Sequence, residues 1–401
     1  MQTEHVTTAL ENAARYLRAG ELVAVPTETV YGLAGNGLDE QAVQRIYEVK
    51  GRPAVKPLSL MVPGAEAMDA YCEDVPDQAR ALAEQFWPGP LTIVLKAKPL
   101  VPALVRAGGA TVGLRCPDHP LTLELLRLAE IPFAAPSANP SGQPSPKTAG
   151  EVLGYFDGKI AAVVDGGPCG LGRESTLLDM SRTPYRILRQ GALSREAIED
   201  ALAEQLTLLG VTGQTGSGKT TVLREVEKAG GLAIDCDAVY HELLETDAAL
   251  LDELDAAFPG TVRNRTLERK ALAALVFGDA EKLQTLNAIT HRRVAAEVER
   301  RLREYAMAGG RLAAVDAIAL FESGLASRCD ATVAVTAPAE TRLARIMNRD
   351  NLDMTSARRR IEAQPEDSYY SSRCDYVLRN DADLAALLAK TQEILKEFLD
   401  K

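Results

Sequence analysis

Apolar and polar positions alternate along this chain in two different rhythms. At the start, Ala9, Leu10, Ala13, Ala14 and Leu17 recur three and four residues apart among polar neighbours, which predicts an amphipathic helix. Short apolar runs bounded by Gly and Pro follow at 22–26, 91–97, 111–117, 160–167 and 175–181, and these predict strands. Helical periodicity lies between them at about 39–49, 76–86, 118–129 and 147–156. The first half is therefore expected to be mixed α/β. A further amphipathic helix is predicted over 194–205, with Ser194 as its N-cap. Directly after it, the apolar run 206–213 leads into a glycine-rich loop, and apolar runs recur at 231–235, 312–316 and 331–337 with long helical stretches between. That alternation predicts a parallel sheet with crossover helices on both faces. The change of rhythm places a domain boundary near residue 206, giving α/β domains over 1–205 and 206–401 with almost no linker.

Composition narrows the function classes. Hydrophobic residues are 46% and charged residues 25% of the 401, enough for each half to bury a core. The formal net charge is −11, and acidic residues outnumber basic ones 25 to 19 in residues 1–205 and 31 to 26 beyond. Neither half carries the basic excess that holds nucleic acid by its phosphates, so any tRNA binding is expected to be weak or indirect. The cysteines at 72, 116, 169, 236, 329 and 374 form no CxxC pair and the four histidines are scattered, which leaves no zinc spacing. Reduced thiols in a cytoplasmic protein are expected. The first residues lack the charged and apolar regions of a signal peptide, and no apolar run approaches the ~20 residues of a membrane span, so no membrane partner is expected.

The loop "GVTGQTGSGKTT" (210–221) carries the sharpest chemistry. Gly213 to Thr220 fits G-x-x-x-x-G-K-[ST] between a strand and a helix. Gly213, Gly216 and Gly218, with Ser217 and Thr221 beside them, let backbone N–H groups converge on phosphate oxygens at a helix N-terminus. Lys219 is expected to neutralise β- and γ-phosphates, and Thr220 to ligate Mg²⁺; ATP and Mg²⁺ are the expected cofactors. The loop alone does not separate a kinase from a motor or a GTPase. Asp235 and Asp237 end the next strand, where either could take a proton from an acceptor hydroxyl or, equally, cap the following helix. Arg345 and Arg349 stand four apart on one helix face, placed either to close over phosphates or to form a solvated basic face.

Taken with "LFE" (320–322), "RIMNRDN" (345–351), "RRIEAQ" (359–364) and "CDYVLRND" (374–381), this half resembles the dephospho-coenzyme A kinase family. The resemblance implies transfer of the ATP γ-phosphate to the ribose 3′-hydroxyl of dephospho-CoA. It implies Asp237 as the catalytic base, Arg345 and Arg349 as lid arginines, Asn380 near the adenine, and Asp235 and His291 at the acceptor. Three segments depart from the family pattern: His241 stands for a frequent Arg, Arg292 for the Pro of His-Pro, and "IALFE" (318–322) for Pro-Leu-Leu-Phe-Glu.

The first half holds cations and small hydroxyl residues in turns. "VPTETVYGLAG" (25–35) supplies Thr27, Thr29 and Tyr31, and "VKGRPAVKPLSL" (49–60) supplies Lys50, Arg52 and Lys56. Arg115, Ser137, Asn139, Ser175, Thr176 and Arg189 add to the set. Cations interrupted by Gly and Pro make no helical stripe; they either converge on a polyanion or form a solvated loop. A polyanion site without a nucleophile suits attack of an acyl or carbamate oxygen on the α-phosphate of ATP. The segments "PTETVYGL", "KGRP", "WPGPLTIVL", "RCP", "PSANPSG" and "EST" resemble the YrdC-like threonylcarbamoyl-adenylate synthase family over residues 1–193. That resemblance implies L-threonine, bicarbonate and ATP as substrates, with partner proteins moving the product to adenosine 37 of tRNAs. It maps Lys50/Arg52 and Ser137/Asn139 onto the family's pairs, and Met61 stands where many members carry His. The competing reading is an RNA-binding module fused to a kinase for another small hydroxyl acceptor, such as a nucleoside.

Overall fold

The buried side of the first helix is the side its periodicity indicates. In the computed structural model, Leu10, Ala13, Ala14 and Leu17 are buried on helix Leu10–Arg18 and pack on Leu125, Leu126 and Ala129 of helix Pro120–Ala129. Residues 2–7, 10–276, 278–381 and 384–399 are described, so Ala9 lies outside the described residues. The chain divides into two compact units at Leu202/Ala203, apart from Met307–Gly309, which group with the first. Among the described residues, no helix is long and apolar enough to cross a membrane.

The first unit is built on one mixed sheet. Its strands run in the order Glu4–Val6, Ala162–Val164, Val23–Val25, Gly32–Asn36, Phe133–Ala134, Ser59–Met61, Thr111–Arg115, Leu91–Ala97, Thr176–Asp179 and Arg186–Arg189. All five strands predicted from apolar runs are present. The strands the pattern does not predict are short or glycine-rich, and Gly32–Asn36 is the clearest case. An added Cβ at Gly35 would lie 2.9 Å from Leu22 Cδ2 and 3.1 Å from Ile46 Cδ1, so the strand needs glycine where its neighbours press closest. Helix Arg195–Ala203 ends this part of the chain, and Ser194 Oγ accepts from Ala197 N at 3.1 Å as the expected N-cap.

The second unit carries a fully parallel sheet in the order Leu232–Asp235, Leu312–Asp316, Thr207–Thr212, Ala331–Thr336, Tyr376–Arg379. From Thr207–Thr212 the chain crosses by helix Lys219–Lys228 to the edge strand Leu232–Asp235, then returns in the opposite direction to fill the remaining positions. Right-handed crossovers that reverse direction place their helices on opposite faces. On one face Val222, Val226, Leu387 and Leu395 bury Leu209, Val211, Val333 and Val335. The register sets Asp316 beside both Val211 and Asp235, so three strand ends meet at the glycine loop.

Gly213 leaves that sheet with φ of 135°, and a Cβ there would meet Val335 O at 2.2 Å. Both backbone conformation and space therefore exclude a side chain. Gly213→Ala is expected to lower stability by at least ~2 kcal/mol in urea unfolding of the intact chain; an unchanged midpoint would contradict this packing.

Candidate functional sites

In the second unit, the strand ends and the glycine loop enclose a cavity of about 520 Å³. Gly216, Gly218, Lys219 and Thr220 line it from the loop, Asp235 and Asp316 from strand ends, Asp237 from the first turn of helix Cys236–Thr246, and Arg345, Arg349 and Arg360 from helices Ala339–Asp350 and Met354–Glu362. Lys219 Nζ donates to Gly213 O at 3.1 Å and lies 3.7 Å from Asp316 Oδ1, with both side chains nearly buried. Burial pushes the Asp316 carboxyl up to about 7, against the pull of Lys219. Asp316 closes the apolar run 312–316, and its position at a strand end was the signal that could have marked it.

The two aspartates of the neighbouring segment have separate roles. Asp235 Oδ1 accepts from Asp237 N at 2.9 Å and Ala238 N at 3.1 Å, capping helix Cys236–Thr246. Asp237 lies past the cap, on the wall of this cavity and also of a second one of about 230 Å³. Tyr240, Leu286, Val294, Leu325 and His291 line that largely apolar space, and Ile318 stands on both walls. Burial lowers the His291 imidazole below its ordinary value, partly opposed by Glu322.

Arg345 donates through Nη1 to Gly216 O at 3.1 Å and Ser217 O at 3.3 Å. Arg349 holds Asp350 with two bonds of 2.7 and 3.0 Å, which raises its guanidinium value, and Arg360 shares the same carboxylate at 2.7 Å. Arg360 lies in a segment that carries the resemblance but had no role assigned from the sequence; it stands on helix Met354–Glu362. Gly213, Ser217, Thr221 and Asn380 do not reach the wall. Asn380 is buried and donates to Ser217 O at 2.7 Å, so it braces the loop. Of the departures, His241 meets Arg269 at 3.1 Å and Arg292 pairs with Glu253, both away from these cavities.

The first unit holds a cavity of about 340 Å³. Arg52, Lys56, Arg115, Ser137, Ser175 and Arg189 line it as expected, together with Thr29, Met61 and the unforeseen Glu174. Arg115 is held on Glu28 at 2.7 Å, Thr29 Oγ1 at 2.9 Å and Gly89 O at 3.2 Å. Arg189 pairs with Glu174 at 2.6 Å and donates to Ser175 O at 2.9 Å. Arg52 donates to Lys56 O and Pro57 O at 3.3 and 2.9 Å. Arg52 and Lys56 form no ion pair among the described residues, so their charge is available to an anion.

Five expected residues do not line this cavity; one of them, Thr176, is buried and donates through Oγ1 to Leu193 O at 2.6 Å. Thr27 is buried, with Oγ1 donating to Val30 O at 2.7 Å and accepting from Val30 N at 3.2 Å, so it shapes the turn. Tyr31 donates to Gly167 O at 2.8 Å, and burial pushes its phenol up to about 12. Asn139 Nδ2 donates to Pro140 O at 3.0 Å and Gln143 O at 2.6 Å, while its Oδ1 is buried without a partner. Lys50 spends its ammonium on Ser137 O and Asn139 O, which fastens the loop that presents Ser137.

Burial, reinforced by Arg52 and opposed by Glu174, lowers the Lys50 ammonium from 10.5 to about 8. Below about pH 8 Lys50 is charged in both folded and unfolded chains, and the burial cost is fully present. Between about 8 and 10.5 the folded chain releases the proton first, so stability rises with pH. The stability of the wild type relative to Lys50→Met is expected to grow by about 3 kcal/mol over that range in pH-dependent urea unfolding. A flat or falling difference would contradict it.

Comparison with known proteins gives the two units separate relatives. A family model described as Telomere recombination (Sua5, YciO, YrdC) matches residues 15–191, and one described as dephospho-CoA kinase matches residues 207–386. The threonylcarbamoyl-AMP synthase of Pyrococcus abyssi is 48% identical over 192 residues, covering 48% of this chain and 56% of that protein. A putative threonylcarbamoyl-AMP synthase of Mycobacterium tuberculosis is 34% identical over 200 residues, covering 50% of this chain and 91% of that protein. The dephospho-CoA kinase of Moorella thermoacetica is 37% identical over 193 residues, covering 47% of this chain and 91% of that protein. The chain spans little more than half the length of the Pyrococcus abyssi, Bacillus subtilis and fission-yeast synthases it matches, at 56%, 55% and 53%. The chain thus belongs to two families at once, to the threonylcarbamoyl-AMP synthases through its amino-terminal half and to the dephospho-CoA kinases through its carboxyl-terminal half.

Proposed function

We propose that the chain is a bifunctional enzyme, with residues 1–205 making threonylcarbamoyl-AMP and residues 206–401 phosphorylating dephospho-CoA. The observation that carries the kinase reading is the position of Asp237, where the phosphate cavity opens beside the apolar one. A base must reach the acceptor hydroxyl where its oxygen faces the transferring phosphorus, and a carboxylate lining both cavities stands at that junction.

In this reading the acceptor's 3′-hydroxyl gives its proton to Asp237 while its oxygen attacks the γ-phosphorus. The bond to the β-phosphate oxygen breaks, and ADP and CoA leave. Lys219 offsets charge on the β- and γ-phosphates, and Arg345, Arg349 and Arg360 surround the transferring group. Thr220, Asp316 and Asp235 bring a hydroxyl and two carboxylates to one cavity, a hard-oxygen set that would suit Mg²⁺. When bound there, Mg²⁺ neutralises phosphate charge. Neutral His291 borders the acceptor space as a hydrogen-bonding group.

For the first unit, Arg52 and Lys56 receive the triphosphate, with Arg115 and Arg189 beside them. A carbamate oxygen, formed from L-threonine and bicarbonate, attacks the α-phosphorus, and pyrophosphate leaves with the electrons of the broken P–O bond. No protein nucleophile is needed, only positioning and charge stabilisation. The product passes to partner proteins that modify tRNA.

A two-substrate assay on the intact chain tests both halves, following CoA formation and threonine-dependent pyrophosphate release separately. Asp237→Asn is expected to slow CoA formation roughly 10²–10⁴-fold while pyrophosphate release continues. Arg52→Ala is expected to reverse that pattern, losing on the order of 10²-fold in pyrophosphate release alone. Phosphorylation of nucleosides instead of dephospho-CoA would overturn the kinase assignment. Tight tRNA binding without pyrophosphate release would overturn the synthase assignment.

A further inference from the structure

The segment Arg359–Gln364 contributes Arg360 to the phosphate cavity, but its last residue lies off the wall and grips the loop instead. Thr215 N donates to Gln364 Oε1 at 2.8 Å, and Gln364 Nε2 donates to Thr215 Oγ1 at 2.8 Å. The adjacent carbonyl, Pro365 O, accepts from Gln214 Nε2. Gln214 and Thr215 are buried, so losing these bonds leaves polar groups without water to replace them. The Thr215 N–H is also committed here, which leaves the phosphate cradle to the N–H groups that follow it.

Gln364 sits two residues beyond helix Met354–Glu362, and that helix carries Arg360. Arg360 and Arg349 hold Asp350 between them, and Arg349 is on the neighbouring helix Ala339–Asp350. An unbroken set of contacts therefore runs from Thr215 through Gln364 and helix Met354–Glu362 to Arg360, Asp350 and Arg349. It joins the element that receives the phosphates to the cations that face them.

We propose that Gln364 is a positioning residue that latches the phosphate loop to the arginine-bearing helices, so that nucleotide on the loop and guanidiniums over its γ-phosphate are set in place together. The kinetic consequence rests on the kinase reading above; the mechanical coupling does not, because it requires no acceptor. Gln364→Met keeps the length and removes both hydrogen bonds. Gln364→Glu restores both, since its second oxygen accepts from the Thr215 hydroxyl turned the other way.

The test is hydrogen exchange on the full chain, with and without a non-hydrolysable ATP analogue and Mg²⁺. In wild type the nucleotide is expected to slow exchange over both 213–221 and 354–366. In Gln364→Met protection over 213–221 remains while that over 354–366 falls by about tenfold, and Gln364→Glu restores it. In CoA formation Gln364→Met is expected to lower kcat about tenfold with KM for ATP within about threefold of wild type, and Gln364→Glu to recover. If Gln364→Met does not fold, Thr215→Val, which removes only the hydroxyl, carries the same readouts with smaller changes in the same direction. The latch is overturned if both segments stay protected in Gln364→Met. It is equally overturned if KM rises at unchanged kcat, or if only the melting temperature falls. A wild type that forms no CoA refutes the kinase reading, and the exchange pattern still decides the latch.

Discussion

Cations collected around one cavity repel each other before any anion arrives, and each unit of this chain meets that repulsion with backbone carbonyls. Lys50 lies on Ser137 O and Asn139 O, and Arg52 on Lys56 O and Pro57 O. In the second unit Lys219 lies on Gly213 O and Arg345 on Gly216 O and Ser217 O. A carbonyl fixes the direction of a cation without cancelling its charge. A carboxylate cancels it, as Glu28 does for Arg115 and Asp350 for Arg349. Lys219 has both kinds of partner, Gly213 O and Asp316, and the carboxylate-held Arg349 and Arg360 still line the phosphate cavity.

The two units reach an anion-binding cavity by different backbones. In the second, parallel strands end side by side, and the loop after Thr207–Thr212 places helix N-terminal amides at the sheet edge. Little beyond glycine and one lysine is needed from the side chains there. In the first, the mixed sheet offers no comparable end, and the cavity is lined instead by side chains from separate strands and turns. Four basic residues and several hydroxyls replace the converging amides. This difference explains why the second cavity announces itself in one contiguous motif while the first is spread over some 160 residues of sequence.

That contrast also marks how far the sequence could be read. Apolar runs revealed their strands because burial on both faces demands Val, Ile and Leu, as in Leu91–Ala97 and Ala331–Thr336. Gly32–Asn36 escaped because close neighbours at Gly35 require the absence of a side chain, which reads as a turn. Residue type also carries no direction. Lys50, Thr27, Tyr31, Asn139 and Asn380 all belong to the segments that build the cavities, yet their donor groups are spent on backbone carbonyls of loops, with Asn139 Oδ1 left unpartnered. Asp235 and Asp237 were equivalent by position and residue type; the family resemblance favoured Asp237 as the base, and the cap geometry gives Asp235 a separate task. Glu174, Arg360 and Gln364 lie in segments that carry the family resemblances, but their individual roles depend on partners distant in sequence.

In the proposed reading one chain carries two unrelated ATP sites, one with a phosphate loop and one without. Titration calorimetry of the intact chain with a non-hydrolysable ATP analogue and Mg²⁺ counts them. Two binding events per chain are expected, of which Lys219→Ala removes one and Arg52→Ala weakens the other. A single event that disappears in Lys219→Ala would show that the amino-terminal cavity does not receive ATP.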